Sequence, residues 1–305
     1  MSDYIKQNSV VNQFDNSNSW VLLSSIEKSI KEKIEKVGTP LKDWNIQIYR
    51  GILTGHNEAF IISTEKRNEI LDNCKDDAEK KRTEEIIRPI LRGRDIKRYS
   101  YDWAGLYIIA TFPSRHYDIE QYPALKAYLL TFGKQKLAQT GEKNINGIKD
   151  NNARKRTNNK WFETQDSISY WDDFSKPKIV YPNMTKYLPF YYDVQKYLTN
   201  QKCFIITGEN LTFLTAFLNS SLFKYCFRDS FPELQGGTRE LSKVFFEKIP
   251  VIKVTEKTEK QFIDSIKDIQ DNYSKAKAKQ IDSIIFNLYN LTQEEINEIG
   301  FIEIE

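Results

Sequence analysis

With 305 residues, 40% of them apolar and 13% aromatic, the chain is long enough to bury one large core or two modest ones, and too rich in Phe, Tyr and Trp to be disordered. Three scattered cysteines (Cys74, Cys203, Cys226) and two isolated histidines (His56, His116) form neither a disulfide framework nor a zinc-ligand spacing, and they supply a histidine-based triad poorly. The net charge of +3 hides an uneven distribution: residues 81–160 hold 17 Lys and Arg against 8 Asp and Glu, which reads either as a polyanion-facing surface or as a solvated, lysine-rich exterior.

In chain order, the start MSDYIKQNSVVNQFDNSNSW lacks the basic and apolar regions of a signal peptide. No apolar run approaches the ~18 residues of a membrane span, so a cytoplasmic protein is expected. SSIEKSIKEKIEKV (24–37) reads as a helix with the stripe Ile26, Ile30, Ile34 and Val37, a capping box from Ser24 to Glu27, and a stop at Gly38 and Pro40. YRGILTGHNEAFIIS (49–63) reads as two strands, one over Ile46–Ile52 and one over AFIIS, joined by the hairpin loop TGHNE. Residues 64–83 form a helix or an exposed loop. In EEIIRPILRGRDIKRY (84–99), Pro89 shortens any helix, and Arg88, Arg92, Arg94, Lys97 and Arg98 crowd together.

LYIIATF (106–112) is aromatic and β-branched, hence a strand. Residues 122–138 read as a helix. GEKNINGIKDNNARKRTNNK (141–160) has almost no apolar content and reads as a long, basic, mobile loop. KIVYPNM, LPFYYDV and KCFIIT follow as successive strands, which points to an antiparallel sheet. Asn210 caps a helix over 211–226. In the tail, Phe262, Ile266, Ile269, Tyr273 and Ala276 trace a coiled-coil-like seam, and a short helical hairpin ends the chain. Residues 251–305 carry 7 positive and 11 negative charges, so this tail is not the polyanion-facing part.

The chemistry is narrowed by what is missing. Gly55 is followed by His56 and Asn57 rather than the Lys-Ser/Thr of a phosphate loop, and no GxGxxG occurs. Asp172–Asp173 and the Glu–Lys pairs of the first helix read as solvated charges rather than as a magnesium site or a general acid–base pair. What remains is DNA-binding chemistry. Phosphates need Lys and Arg, and base edges need Arg, Lys, Asn or Gln. NNARKRTNNKW (151–161) offers both kinds, and the 92–98 cluster offers a second set, although Asp95 can divert one arginine into a structural pair.

One ordered set of segments then stands out: YRGILTGHNEAFIIS, EEIIRPILRGRDIKRY, KPKIVYPNM, FIITGENLTFLTAFLNSSLFKY, GGTRELSKVFFEKIPV and LYNLTQEEINEI. In that order, over roughly residues 20–300, the chain resembles the TaqI-like C-terminal specificity domain of adenine-N6 DNA methyltransferases and of combined type II restriction–modification enzymes. The resemblance implies a target-recognition domain for duplex DNA. Its partner would be a methyltransferase/endonuclease domain or subunit carrying an Asn-Pro-Pro-Tyr motif and S-adenosylmethionine; neither that motif nor a loop for the cofactor is present here, and YPNM (181–184) is not that motif. The chain is then a fragment of a longer enzyme, a truncated gene product or a separate subunit, not catalytic alone. An α+β fold is expected, with a mixed, largely antiparallel sheet region and flanking helices. Its parts would be a helical connector (1–45), the recognition domain (46–250) and a C-terminal helical spacer or docking segment (251–305). The expected DNA contacts are Arg50, Thr54, Asn57, Arg92, Arg94, Lys97, Arg98, Arg154, Lys155, Arg156, Lys160, Lys186 and Arg239. Charge reversal at Arg154 with Arg156 is expected to weaken binding to every sequence and flatten its salt dependence. The alternatives are a protein-interaction module docking through the C-terminal helices and a nuclease with an unrecognised site.

Overall fold

The computed structural model describes residues 23–303, so the start read above for a signal peptide lies outside them. The described residues begin with α1 (Ser25–Val37), β1 (Gly38–Pro40), β2 (Ile46–Arg50), α2 (Asn57–Phe60), β3 (Ile61–Ser63), α3 (Thr64–Asp72) and α4 (Asp77–Ile86). Next come β4 (Ile87–Leu91), β5 (Ile96–Lys97), β6 (Ser100–Tyr101), β7 (Leu106–Ile109), α5 (Pro123–Leu130) and α6 (Lys134–Leu137). They are followed by β8 (Lys178–Pro182), β9 (Met184–Thr185), β10 (Tyr191–Asp193), β11 (Leu198–Thr199), β12 (Cys203–Gly208), α7 (Leu211–Asn219) and α8 (Ser221–Phe227). The last elements are β13 (Arg239–Glu240), α9 (Lys243–Phe246), β14 (Pro250–Ile252), α10 (Glu256–Asp271), α11 (Lys275–Leu288) and α12 (Gln293–Ile299).

Two four-stranded sheets carry this α+β fold. One runs β10-β8-β12-β2 and is antiparallel throughout; the other runs β11-β4-β7-β3 and is antiparallel except for the β11–β4 pair. Side chains alternate across a strand, and most strands of the two sheets feed two cores. Val180 and Ile205 of the first sheet meet Ile90 and Ile108 of the second in a shared inner core. Their neighbours Ile179, Tyr181 and Ile206 face outward onto α1, α7, α8 and the C-terminal helices. Ile62, Ile87 and Ile109 face the other way, onto α3 to α6. The layers are therefore helices, sheet, sheet, helices.

Several local expectations change. β2 and β3 are not hairpin partners: β2 pairs with β12, and β3 pairs with β7. GILTGHN is thus the crossover between the two sheets. The 84–99 segment is the end of α4 followed directly by β4, with Pro89 opposite Tyr107 of β7. The 122–138 helix breaks into α5 and α6 around Gly133, which takes φ +86°. The 211–226 helix breaks at Ser220, whose side chain accepts from the Phe223 backbone N–H and starts a second helix. Asn210 stands before the first of these in a left-handed conformation and makes no side-chain cap. In the tail, Phe262, Ile266 and Ile269 are buried in the outer core of the first sheet, whereas α10 ends at Asp271, so Tyr273 and Ala276 do not continue the seam.

The first and last described elements meet. β1 pairs antiparallel with β14, and the capping box of α1 forms as its sequence predicts. Lys33 of α1 bonds the Glu295 carboxylate of α12 at 2.6 Å, and Ser29 Oγ donates to it at 2.7 Å. Burial by itself would raise the pKa of this carboxyl, but these bonds and the Thr292 N–H outweigh it and hold the group down at about 2. A carboxylate with a depressed folded-state pKa stabilises above its unfolded value and loses that contribution as pH falls. We expect about 2–3 kcal/mol of stability to disappear between about pH 4.5 and about pH 2. Glu295→Gln should flatten that acid limb in urea titrations at stepped pH; an unchanged limb would remove Glu295 as its cause.

Candidate nucleic-acid interface

The 92–98 run divides its charges between inside and outside. Arg92-Gly93-Arg94-Asp95 forms a single turn of 3-10 helix in which the buried Asp95 accepts from Arg92 Nε at 3.1 Å and Nη2 at 2.8 Å. Arg92 is therefore clamped in the structural pair anticipated from the sequence. Arg98 is buried, with Nη2 donating to Asn219 O at 2.8 Å and Nη1 to Ile302 O at 3.2 Å. Arg94 and Lys97 remain exposed, and Lys97 lies 3.7 Å from Asp102, which is exposed as well.

These residues form one wall of a groove of about 680 Å³. A second wall comes from the segment 182–189, with Lys186, and a third from the turn 200–202, with Lys202. Gly93 permits the approach, since a Cβ there would lie 3.1 Å from Lys202 O. None of the lining residues is acidic, and among the described residues Arg94, Lys186 and Lys202 make no ion pair. Three segments distant in sequence thus deliver four exposed cations to one concavity. Lys202 was missed in the sequence; its only signal was its place in a polar turn, TNQK, between two apolar runs.

Arg50 adjoins the groove through that turn, with Nε donating to Gln201 O at 3.3 Å. Burial raises the pKa of Asp166, and a backbone hydrogen bond with Leu53, then the charges of Arg50 and Lys155, lower it in part. Lys155, Arg156 and Lys160 are exposed, and Lys160 also donates to Tyr117 O at 3.5 Å. Asn57 is exposed at the start of α2.

Three further expected contacts, besides Arg92 and Arg98, are engaged elsewhere. Thr54 is buried and donates to Asn57 Oδ1 at 2.8 Å. Arg239 donates to Asp229 at 2.7 Å and lies 2.9 Å from Glu233, so its charge is compensated within its own loop. Arg154 is 3% exposed. Its guanidinium donates to the carbonyls of Leu137, Thr54, Glu163 and Trp161 at 2.7–2.8 Å. Burial lowers its pKa to about 10, so it stays charged at neutral pH. The 141–160 segment is consequently pinned: Gly141 N–H donates to Arg154 O, and Arg154 N–H to Ala138 O. It is a packed loop folded around an arginine rather than a mobile one.

The glycines of the crossover serve this packing. A Cβ on Gly51 would sit 2.0 Å from Asn200 O, and Gly55 turns at φ +78°. His56 Nδ1 caps α2 by accepting from the Ala59 N–H; burial and then Lys136 lower its pKa, which favours the neutral, accepting ring. Among the described residues no group of three His, Cys, Asp or Glu side chains could hold a metal ion, and no helix is long and apolar enough to cross a membrane.

The family model described as the TaqI-like C-terminal specificity domain matches residues 88–251. That range contains the three walls of the groove apart from Tyr273. Two solved structures share the fold. The type IIG restriction endonuclease BpuSI aligns over 88% of this chain and 34% of its own, at TM-score 0.51 and 13% identity. The type IIL restriction–modification enzyme MmeI, solved in complex with DNA, aligns over 86% of this chain and 36% of its own, at TM-score 0.55 and 11% identity. The chain thus spans about a third of the length of these enzymes. No curated protein matches the sequence.

Proposed function

We propose, from the premise that the chain belongs to the TaqI-like C-terminal specificity domain family, that it recognises a specific sequence in duplex DNA as the target-reading part of a restriction–modification enzyme. The observation that carries this reading is the convergence of Arg94, Lys97, Lys186 and Lys202 on one groove with no acidic residue in its lining. Cations so arranged neutralise phosphates and fix the register of a duplex, while a few neighbouring side chains read base edges. Arg50 adjoins the groove, and the exposed Lys155, Arg156, Lys160 and Asn57 are further candidates for contact. MmeI supports the reading because a protein of this fold was solved with DNA. On this reading, methyl transfer from S-adenosylmethionine and strand cleavage belong to a methyltransferase/endonuclease domain or subunit.

Selection of the purified chain on random duplexes, followed by sequencing of what it retains, tests the proposal. One enriched short motif is expected; retention of nothing at low salt would sink it. The groove itself is tested by converting Arg94, Lys97, Lys186 and Lys202 together to alanine. All four are exposed, so the fold should persist. Affinity should fall about 100-fold, much the same for every sequence, and the slope of log K against log salt should shrink by about 3–4. An unchanged slope would place the phosphates elsewhere.

A further inference from the structure

Phosphate contacts account for the cations of the groove but not for the rest of it. Its lining also includes Ile96, Pro182, Met184 and Pro189, together with Tyr187 and Tyr273. The two tyrosines are 50% and 40% exposed, and among the described residues neither ring packs on another aromatic. Many of the other described aromatic side chains are paired, as in the stack of Tyr49 on Tyr170 at 4.3 Å, and those that are not include buried rings such as Phe60 and Phe112, whereas Tyr187 and Tyr273 face the open groove. Shape points the same way. The major groove of B-DNA, about 12 Å wide, is entered by a protruding helix or two-stranded ribbon, which a concavity cannot do. A hollow of about 680 Å³ falls instead within the roughly 300–1,000 Å³ of sites that enclose small ligands.

We propose that this groove holds an unpaired nucleotide, its base stacked on Tyr187 or Tyr273 and its flanking phosphates on Lys186, Lys202 and Arg94. Every base has an apolar face that stacks on an aromatic ring, so the contact needs no particular base. Exposed cations beside exposed rings are what such a ligand requires, and the absence of acidic residues from the lining leaves the backbone charge unopposed. The inference rests on the DNA-binding reading above and deepens it. The nucleotide can come from a base turned out of a duplex or from an opened strand.

The test uses the full chain and three probes of one sequence, at fixed salt: a matched duplex, a duplex with a single bulged 2-aminopurine, and the single strand carrying that base. The bulged duplex should bind about tenfold tighter than the matched one, with 2-aminopurine fluorescence quenched by stacking. The double variant Tyr187→Ala/Tyr273→Ala should lose both the preference for the bulged duplex and the quenching, because both arise from stacking on these rings. Tighter binding of the single strand than of the bulge would also support the proposal and assign the nucleotide to an opened strand. Equal affinity for bulged and matched duplexes, or quenching that survives the double substitution, overturns it and leaves duplex recognition standing. Binding to none of the three probes overturns the DNA-binding reading and this proposal with it.

Discussion

Replacing Arg154 by methionine should destabilise the protein by about 3–5 kcal/mol, as removal of a buried, multiply bonded charge does. The side chain closes no surface ion pair. It satisfies the carbonyls of Leu137, Thr54, Glu163 and Trp161, which lie on three separate stretches of chain, and its guanidinium sits 5.0 Å from the Phe60 ring. Methionine would fill much of the volume but donate nothing, leaving buried carbonyls unpaired and the nearby buried Glu163 without its cation. Lys155→Ala and Arg156→Ala, one and two residues further on, should stay within about 0.5 kcal/mol of the parent, because both side chains are exposed. Urea unfolding of the three variants makes the comparison. Charge reversal at Arg154 with Arg156, which the sequence reading took as a probe of DNA contact, would mainly report unfolding; Arg156 with Lys155 is the pair that tests the surface. A mild effect of Arg154→Met would mean that the loop is held by other bonds.

Asp193→Ala should have a cost of similar size, about 3–5 kcal/mol, because it strands a buried ammonium. Lys178 and Asp193 are paired with both side chains fully buried, and Lys178 Nζ also donates to Phe174 O at 2.8 Å. The Asp193 carboxylate accepts in addition from the backbone N–H groups of Gln195 and Tyr197, at 2.7 and 3.0 Å, and so shapes the turn from β10 to β11. Burial lowers the pKa of Lys178, and the Asp193 carboxylate opposes that shift. Without the carboxylate the folded-state pKa should drop further below its unfolded value. The unfolded chain then binds more protons than the folded one, so the variant should regain stability as pH rises toward the ordinary lysine range. Lys178→Met/Asp193→Ala should be less destabilised than Asp193→Ala, since it buries no lone ammonium. Denaturant midpoints of the parent, both single variants and the double variant, taken at several pH values, provide the check; additive effects would show that the pair is not coupled.

How far the sequence could be read depended on how local the cause was. The helix 25–37, with its capping box, and the strands of KIVYPNM, LPFYYDV and KCFIIT were legible because caps and apolar patterning act between residues a few positions apart. The α+β class and the family resemblance were legible for the same reason, as an ordered set of local patterns. The partner of β2 was not. A strand's residues do not name their neighbour, and the crossover GILTGHN has the composition of a hairpin turn while joining two different sheets.

Burial of charge was the other boundary. Arg94, Arg98, Arg154 and Arg156 are alike as residue types, and composition treats them alike. Tertiary structure put Arg98 and Arg154 inside, where carbonyls from distant segments meet their donors, and left Arg94 and Arg156 in solvent. It likewise brought Lys186 and Lys202 beside the 92–98 run to make a groove. By itself the sequence determined an α+β class and a basic, aromatic-rich middle third whose cations could line one exposed surface. Which cations form that surface was decided only by the fold, because a guanidinium surrounded by backbone carbonyls is a structural pin, and the same group facing water is free to meet a phosphate.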